Sequence, residues 1–185
     1  MDANDLFESL GIADQKLKQQ LSSISETKNL DKGEKLLWSG AEQTHISFVL
    51  DGIMRSALIG IDGTDATDCF ILPGMAAVPS ADLDAPSPGT IEALTPCEVL
   101  SIERMPLERL IESDLSLALI YNNLLKQAWR DHWAVKTATQ QTSARERYLW
   151  FLQEYPGVID RVPHRYVASF LGVTPVTLSR VRHSL

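Results

Sequence analysis

The chain has 185 residues, 44% of them hydrophobic, and a formal charge of -7. That length accommodates one or two domains with real cores, and no stretch approaches the roughly 20 consecutive apolar residues of a membrane span. The acidic opening MDANDLFESLGI lacks the basic flank of a signal peptide, and Cys69 and Cys97 stand in apolar contexts without metal-ligand spacing, so a cytoplasmic chain with reduced cysteines is expected.

Residues 1 to about 28 are helical in pattern, with Leu6, Phe7 and Leu10, then Leu17, Leu21 and Ile24 after a break at Gly11. From Leu30 the rhythm changes to short glycine-punctuated β segments at 36–40, 46–52, 53–60, 66–74, 89–95 and 97–103. Their spacing, with turn signals at Asp51-Gly52 and Asp62-Gly63, predicts an antiparallel barrel or jelly roll. Pro79 to Pro88 interrupts it as a loop.

Helical periodicity returns near Leu115, with Ser113 or Asp114 as the cap. Leu110, Leu117 and Leu124 are spaced by seven, as are Ile111, Ala118 and Leu125, and Tyr121, Ala128 and Val135. Trp129 and Trp133 extend the seam. Such a seam on one long helix, with nothing evident behind it in so small a chain, predicts a two-chain coiled coil built on Leu117, Tyr121, Leu124 and Ala128, although packing on the chain's own barrel gives the same spacing. The polar run Thr137–Ser143 reads as a hinge, followed by a helix over Ala144–Tyr155 that Pro156-Gly157 stops.

The last stretch, VPHRYVASFLGVTPVTLSRVRHSL, reads as two short helices around a turn at Gly172. Val167, Ala168 and Leu171 form the inner face of the first. Thr174 caps the second, Pro175 opens it, and Leu178, Val181 and Leu185 are its inner stripe. An ordinary helical hairpin has this apolar pattern too, but charge favours a DNA-binding helix-turn-helix. From Arg161 onward there are four arginines, two histidines and no acid. Residues 143–185 carry six Arg/Lys against three Asp/Glu, so an acidic body ends in a basic tip, as local phosphate binding requires.

The order of helix, β-roll, long helix, hinge and helix-turn-helix resembles the Crp/Fnr family of transcription regulators. KGEKLLWSGAEQTHISFVLDGIMRSAL and VASFLGVTPVTLSRVRHSL carry the likeness most strongly. The resemblance implies an α+β fold: N-terminal helices with an antiparallel β-roll (a double-stranded jelly roll) over 1–112, a dimerisation helix over 113–138, and a helix-turn-helix domain over 139–185 with little or no wing. It further implies a homodimer on double-stranded DNA, contact with RNA polymerase and a signal entering at the roll. By the same likeness, base-reading positions correspond to Pro175, Val176, Ser179 and Arg180. Ser179 and Arg180 keep the family pattern, and Arg180 suits a guanine edge. Pro175 and Val176 depart from it, and Val176 is suited to a thymine methyl. His164, Arg165, Thr174 and Thr177 match phosphate-contacting positions, and Arg182 and His183 join them on the outer face of the second helix.

Cyclic-nucleotide binders of this family carry a Gly-Glu pair and an Arg-Ser/Thr-Ala run. Here those places read Gly74-Met75 and Ser87-Pro88-Gly89. Between Arg55 and Arg104 there is no Lys, Arg or His, whereas acids recur at Asp62, Asp65, Asp68, Asp82, Asp84, Glu92, Glu98 and Glu103. A cyclic phosphate there would meet carboxylates rather than a guanidinium, so the usual mode of cAMP or cGMP binding is not expected and the effector is left open. No metal or other cofactor is expected. Two separated cysteines cannot hold an iron–sulfur cluster, His45 alone cannot build a cupin metal site, and His45 and Cys97, each a lone candidate for a haem ligand, read first as a surface histidine and a buried cysteine. No hydrolase or P-loop motif is present, so an enzyme is not expected. The alternative is a regulator-like protein that has lost specific DNA binding and acts through a small molecule or a protein partner.

Overall fold

The computed structural model describes residues 1–60 and 63–184. Asp62, of the expected turn, and Leu185, of the expected helical stripe, lie outside the described residues. Helix α1 (Ala3–Ser9) starts at a reciprocal cap, in which Asp2 accepts from the Asp5 N–H at 2.8 Å and Asp5 from the Asp2 N–H at 2.9 Å. After Gly11, α2 (Gln15–Ser23) is capped by Asp14. The helical reading to residue 28 is corrected here: β1 (Ser25–Leu30) is already a strand, paired to Cys97–Ile102. It is the edge strand of its sheet, so SETKNL needs little apolar alternation and its sequence conceals it.

The expected β segments form two antiparallel sheets from β2 (Lys35–Leu37), β3 (His45–Asp51), β4 (Met54–Ile59), β5 (Asp65–Ile71), β6 (Thr90–Ala93) and β7 (Cys97–Glu103). Their orders are β1-β7-β3 and β2-β6-β4-β5. The tight β3–β4 turn requires Gly52, at φ 94°, because a Cβ there would collide with the Pro96 carbonyl and Cys97. Period-two alternation sets the layers. Val49, Cys97 and Val99 face Met54, Ile71, Ile91 and Ala93 between the sheets. Ile46, Phe48, Leu50, Leu100 and Ile102 face outward onto α1, α2 and the helices that follow the roll.

Those helices are α3 (Arg104–Ser113) and α4 (Leu115–Gln141), separated by the extended residue Asp114, which caps α4 by accepting from the Leu117 N–H at 3.0 Å. The seven-residue seam is therefore not on one helix, since Leu110 and Ile111 belong to α3. Nor is the seam empty behind. Leu117 is buried in the outer cluster, with Ile120, Tyr121 and Leu124 packed half-buried against it. The hinge also moves: α4 continues through Thr137–Gln141, and the chain turns only at Thr142 (φ -124°, ψ 160°). Thr139 and Thr142 donate back to the Val135 and Ala138 carbonyls at 2.8 and 2.5 Å, so the hydroxyls of this polar run find partners along the helix itself.

Beyond the turn lie α5 (Ala144–Glu154), with Ser143 and Glu146 closing a capping box, α6 (Val158–Arg161), α7 (His164–Phe170) and α8 (Pro175–His183). They do not form a separate core. Ile53, Phe70 and Leu94 of the roll are buried with Tyr148, Phe151, Val167, Phe170, Leu171 and Leu178. The Phe70 ring lies 5.3–5.9 Å from those of Phe151, Tyr155 and Phe170.

Candidate nucleic-acid interface

Helix α7 turns its apolar side inward, leaving Val167 and Ala168 buried, and ends at Leu171 before Gly172, whose φ of 62° reverses the chain. Helix α8 begins as its sequence requires. The Thr174 hydroxyl accepts from the Thr177 N–H at 3.1 Å and lies 2.9 Å from the Thr177 hydroxyl, and Pro175 occupies the first turn. Leu178 alone in α8 is fully buried, which fixes the helix's rotation. Val176 is 61% exposed as a result, and Ser179 and Arg180 also face outward. Arg180 has no hydrogen bond or ion pair among the described residues.

The other basic residues of this surface are partly engaged. Arg182 Nη1 donates to the His164 ring, 2.8 Å from Nε2, tying the end of α8 to the start of α7. The His183 ring contacts the Ser179 carbonyl at 2.7 Å. Arg165 donates to the Tyr166 hydroxyl at 2.8 Å, with its guanidinium 4.7 Å from that ring's centre. Tyr166 is also clasped from the roll, where the Arg55 guanidinium sits 3.7 Å from the ring centre.

Arg55 is 3% exposed and donates to both carboxylate oxygens of Asp65 at 2.7 Å, to Glu92 at 2.8 and 3.1 Å, and to Thr67 at 3.2 Å. Beside it the Ser169 hydroxyl of α7 accepts from the Thr67 N–H at 3.0 Å and donates to the Asp65 carbonyl at 3.4 Å. Together these contacts bind α7 to sheet β2-β6-β4-β5. Sequence reasoning missed this role of Arg55, because an arginine between apolar strand residues carries no signal of which distant carboxylates and ring surround it. It also missed Arg147, which donates to the Thr142 carbonyl at 3.1 Å and the Leu171 carbonyl at 2.9 Å, bridging the turn after α4 to the end of α7.

Gly74-Met75 and Ser87–Gly89, the residues expected at the nucleotide-binding positions, fall into two separately anchored loops. The Gly74 N–H donates to the Val49 carbonyl at 2.8 Å, and Met75 takes a weak bond from the Leu72 N–H at its sulfur. The Ser87 hydroxyl, buried, donates to the Gly89 carbonyl at 2.6 Å, and the Ser39 hydroxyl donates to the Pro88 carbonyl at 3.4 Å. A Cβ on Gly89 would stand 3.0 Å from the Ala57 carbonyl. Neither loop holds a cation. The flanking arginines are both committed elsewhere, Arg55 as above and Arg104 to Asp84, Glu108 and the Leu83 carbonyl. Cys97 is buried, and desolvation raises its thiol pKa above the usual range. Cys69 is half-buried, and burial, with Asp68 beside it, pushes its thiol up to about 12. No group of three or more His, Cys, Asp or Glu among the described residues is placed to hold a metal ion, and no described helix is long and apolar enough to cross a membrane.

The comparisons follow this geometry. Residues 27–114 match the cyclic nucleotide-binding domain family. No curated protein matches the chain. FixK2 from Bradyrhizobium japonicum superposes with a TM-score of 0.77 at 22% identity, covering 88% of this chain and 84% of that one. A putative transcriptional regulator of the Crp/Fnr family from Eubacterium rectale gives 0.74 at 16%, covering 97% and 87%. A CRP-family transcriptional regulator from Thermus thermophilus gives 0.68 at 24%, covering 85% and 83%. The match to the cyclic nucleotide-binding domain family thus spans 27–114, and the fold of the chain as a whole is the one these Crp/Fnr-type structures share.

Proposed function

We propose that this protein is a sequence-specific, homodimeric DNA-binding transcription regulator of the Crp/Fnr type whose roll does not take cAMP or cGMP in the usual mode. The observation that carries the reading is the outer face of α8. Val176, Ser179 and Arg180 project from a helix whose rotation Leu178 fixes, and no acid occurs from Arg161 onward. In this reading Arg180 and Ser179 read base edges and Val176 a thymine methyl, while His164, Arg165, Thr174, Thr177, Arg182 and His183 hold the phosphates. Arg182 then acts together with His164 rather than alone.

The dimer in this reading uses the side of α4 turned away from the roll. Leu115, Ala118, Trp129 and Trp133 share that side at 100° per residue, and Trp129 is 63% exposed. Of Leu117, Tyr121, Leu124 and Ala128, only Ala128 is exposed; the other three pack on the chain's own core. The segments around Gly74-Met75 and Ser87–Gly89 carry no basic side chain, and Arg55 and Arg104 are paired to carboxylates, which supports a roll without a cyclic phosphate.

The test is selection of duplexes from a random pool with purified full-length chain and no nucleotide. A palindrome with half-sites about 34–36 Å apart is expected. Absence of enrichment with or without cAMP and cGMP, together with no salt dependence of binding to random duplex, would overturn the reading in favour of a regulator-like protein that has lost specific DNA binding and acts through a small-molecule or protein partner.

A further inference from the structure

Outside the two loops described above lies a cavity of about 110 Å³. It is on the other side of sheet β1-β7-β3, where Ile46, Phe48 and Ile102 point, closed by Leu107 of α3 and by Leu117 and Leu124 of α4. None of Gly74, Met75, Ser87, Pro88 or Gly89 lines it. Its wall has no charged side chain, and the only side-chain heteroatoms on it are the hydroxyls of Ser80 and Tyr121. Ala81, Leu125 and Ala128 line it and are also exposed, so it opens between the 79–88 loop and α4.

We propose that this cavity binds a small uncharged apolar molecule the size of one aromatic ring. Size and chemistry select the occupant. A water needs two to four polar partners, and the two hydroxyls of Ser80 and Tyr121 are the only side-chain partners on the described wall, whereas an apolar cavity of about 150 Å³ stays dry and admits benzene. An anion entering here would shed its hydration for contact almost entirely with carbon, with no cation to receive it. The site is therefore complementary to the class of ligand that the charged loops of the roll are not. Because α4 supplies six of the lining residues, Leu117, Ile120, Tyr121, Leu124, Leu125 and Ala128, an occupant draws that helix onto the roll. This consequence for regulation rests on the dimeric-regulator reading, whereas the site itself does not.

The test uses the full chain with toluene as probe and benzoate as the charged match of the same ring. Toluene is expected to raise Tm saturably and to shift the methyl NMR signals of Leu117 and Leu124, with benzoate at least about tenfold weaker. Val78→Phe, which projects a ring into the space, is expected to abolish the toluene response. The methyl map on the unmodified chain decides the matter if that variant does not fold. No saturable toluene effect, equal binding of benzoate, shifts confined to other methyl groups, or toluene affinity unchanged in a folded Val78→Phe variant would each overturn the proposal. Duplex selection is read separately, so an enriched palindrome without toluene binding refutes the cavity site and leaves the DNA-binding reading standing.

Discussion

Replacing Arg55 by Met isolates what the buried guanidinium does for the union of roll and helix-turn-helix. The side chain keeps its apolar length but loses its bonds to Asp65, Glu92 and Thr67 and its stacking on Tyr166. Removing one partner of a buried pair costs about 3–5 kcal/mol when the other charge stays dry. Here Asp65 is 43% exposed and regains water, whereas Glu92 at 15% does not, so the ionic loss falls to about 2–3 kcal/mol. The lost stacking adds about 0.5–1 kcal/mol. A total near 3 kcal/mol lowers Tm by about 6–12 °C in a chain of this length. The pH dependence supplies a second readout. The hydrogen bonds from Arg55 hold the Asp65 carboxyl below its ordinary range. A group with a depressed folded value stabilises above its unfolded value, about 3.9, and loses that contribution as pH falls below it. The deficit of Arg55→Met relative to the parent is therefore largest at neutral pH and shrinks below about pH 4. Urea titrations of both chains at pH 7 and pH 3 measure it. A loss under 1 kcal/mol at pH 7, or an equal loss at pH 3, would refute the reasoning.

Arg180→Ala is expected to relax discrimination at one base pair per half-site by about 1–3 kcal/mol, while Arg165→Ala weakens all duplexes alike and flattens the salt slope by about one unit, as read by binding to single-substitution operators. Thr174→Ala removes the cap of α8 and should cost about 1 kcal/mol in a urea titration. Trp129→Glu places a charge on the outer side of α4 and is expected to shift sedimentation toward the monomer without lowering helical content by circular dichroism. Cys69, with its thiol pushed up to about 12, should resist iodoacetamide at pH 8 in the native chain and react once unfolded in urea.

Where the signals were local, the sequence determined the outcome. Asp14, Asp114 and Thr174 cap helices because a short side-chain oxygen followed by an amphipathic run leaves little alternative. The strands β3–β7 follow from their apolar alternation, and the outward face of α8 follows once Leu178 is its inner anchor. Two features were not local. The polar edge strand β1 is defined by its partner β7, far along the chain. A seven-residue spacing states that one side of a helix is apolar but not what covers it. The structure turns Leu117 onto the chain's own roll and leaves Trp129 outside. Only tertiary structure brings Arg55, Asp65, Glu92 and Tyr166 together, joins the roll and helix-turn-helix in one core, and leaves a carbon-lined cavity beside α4. The physical reason is common to all of these: side-chain period records which face is buried, while the identity of the neighbour is set by residues far away along the chain.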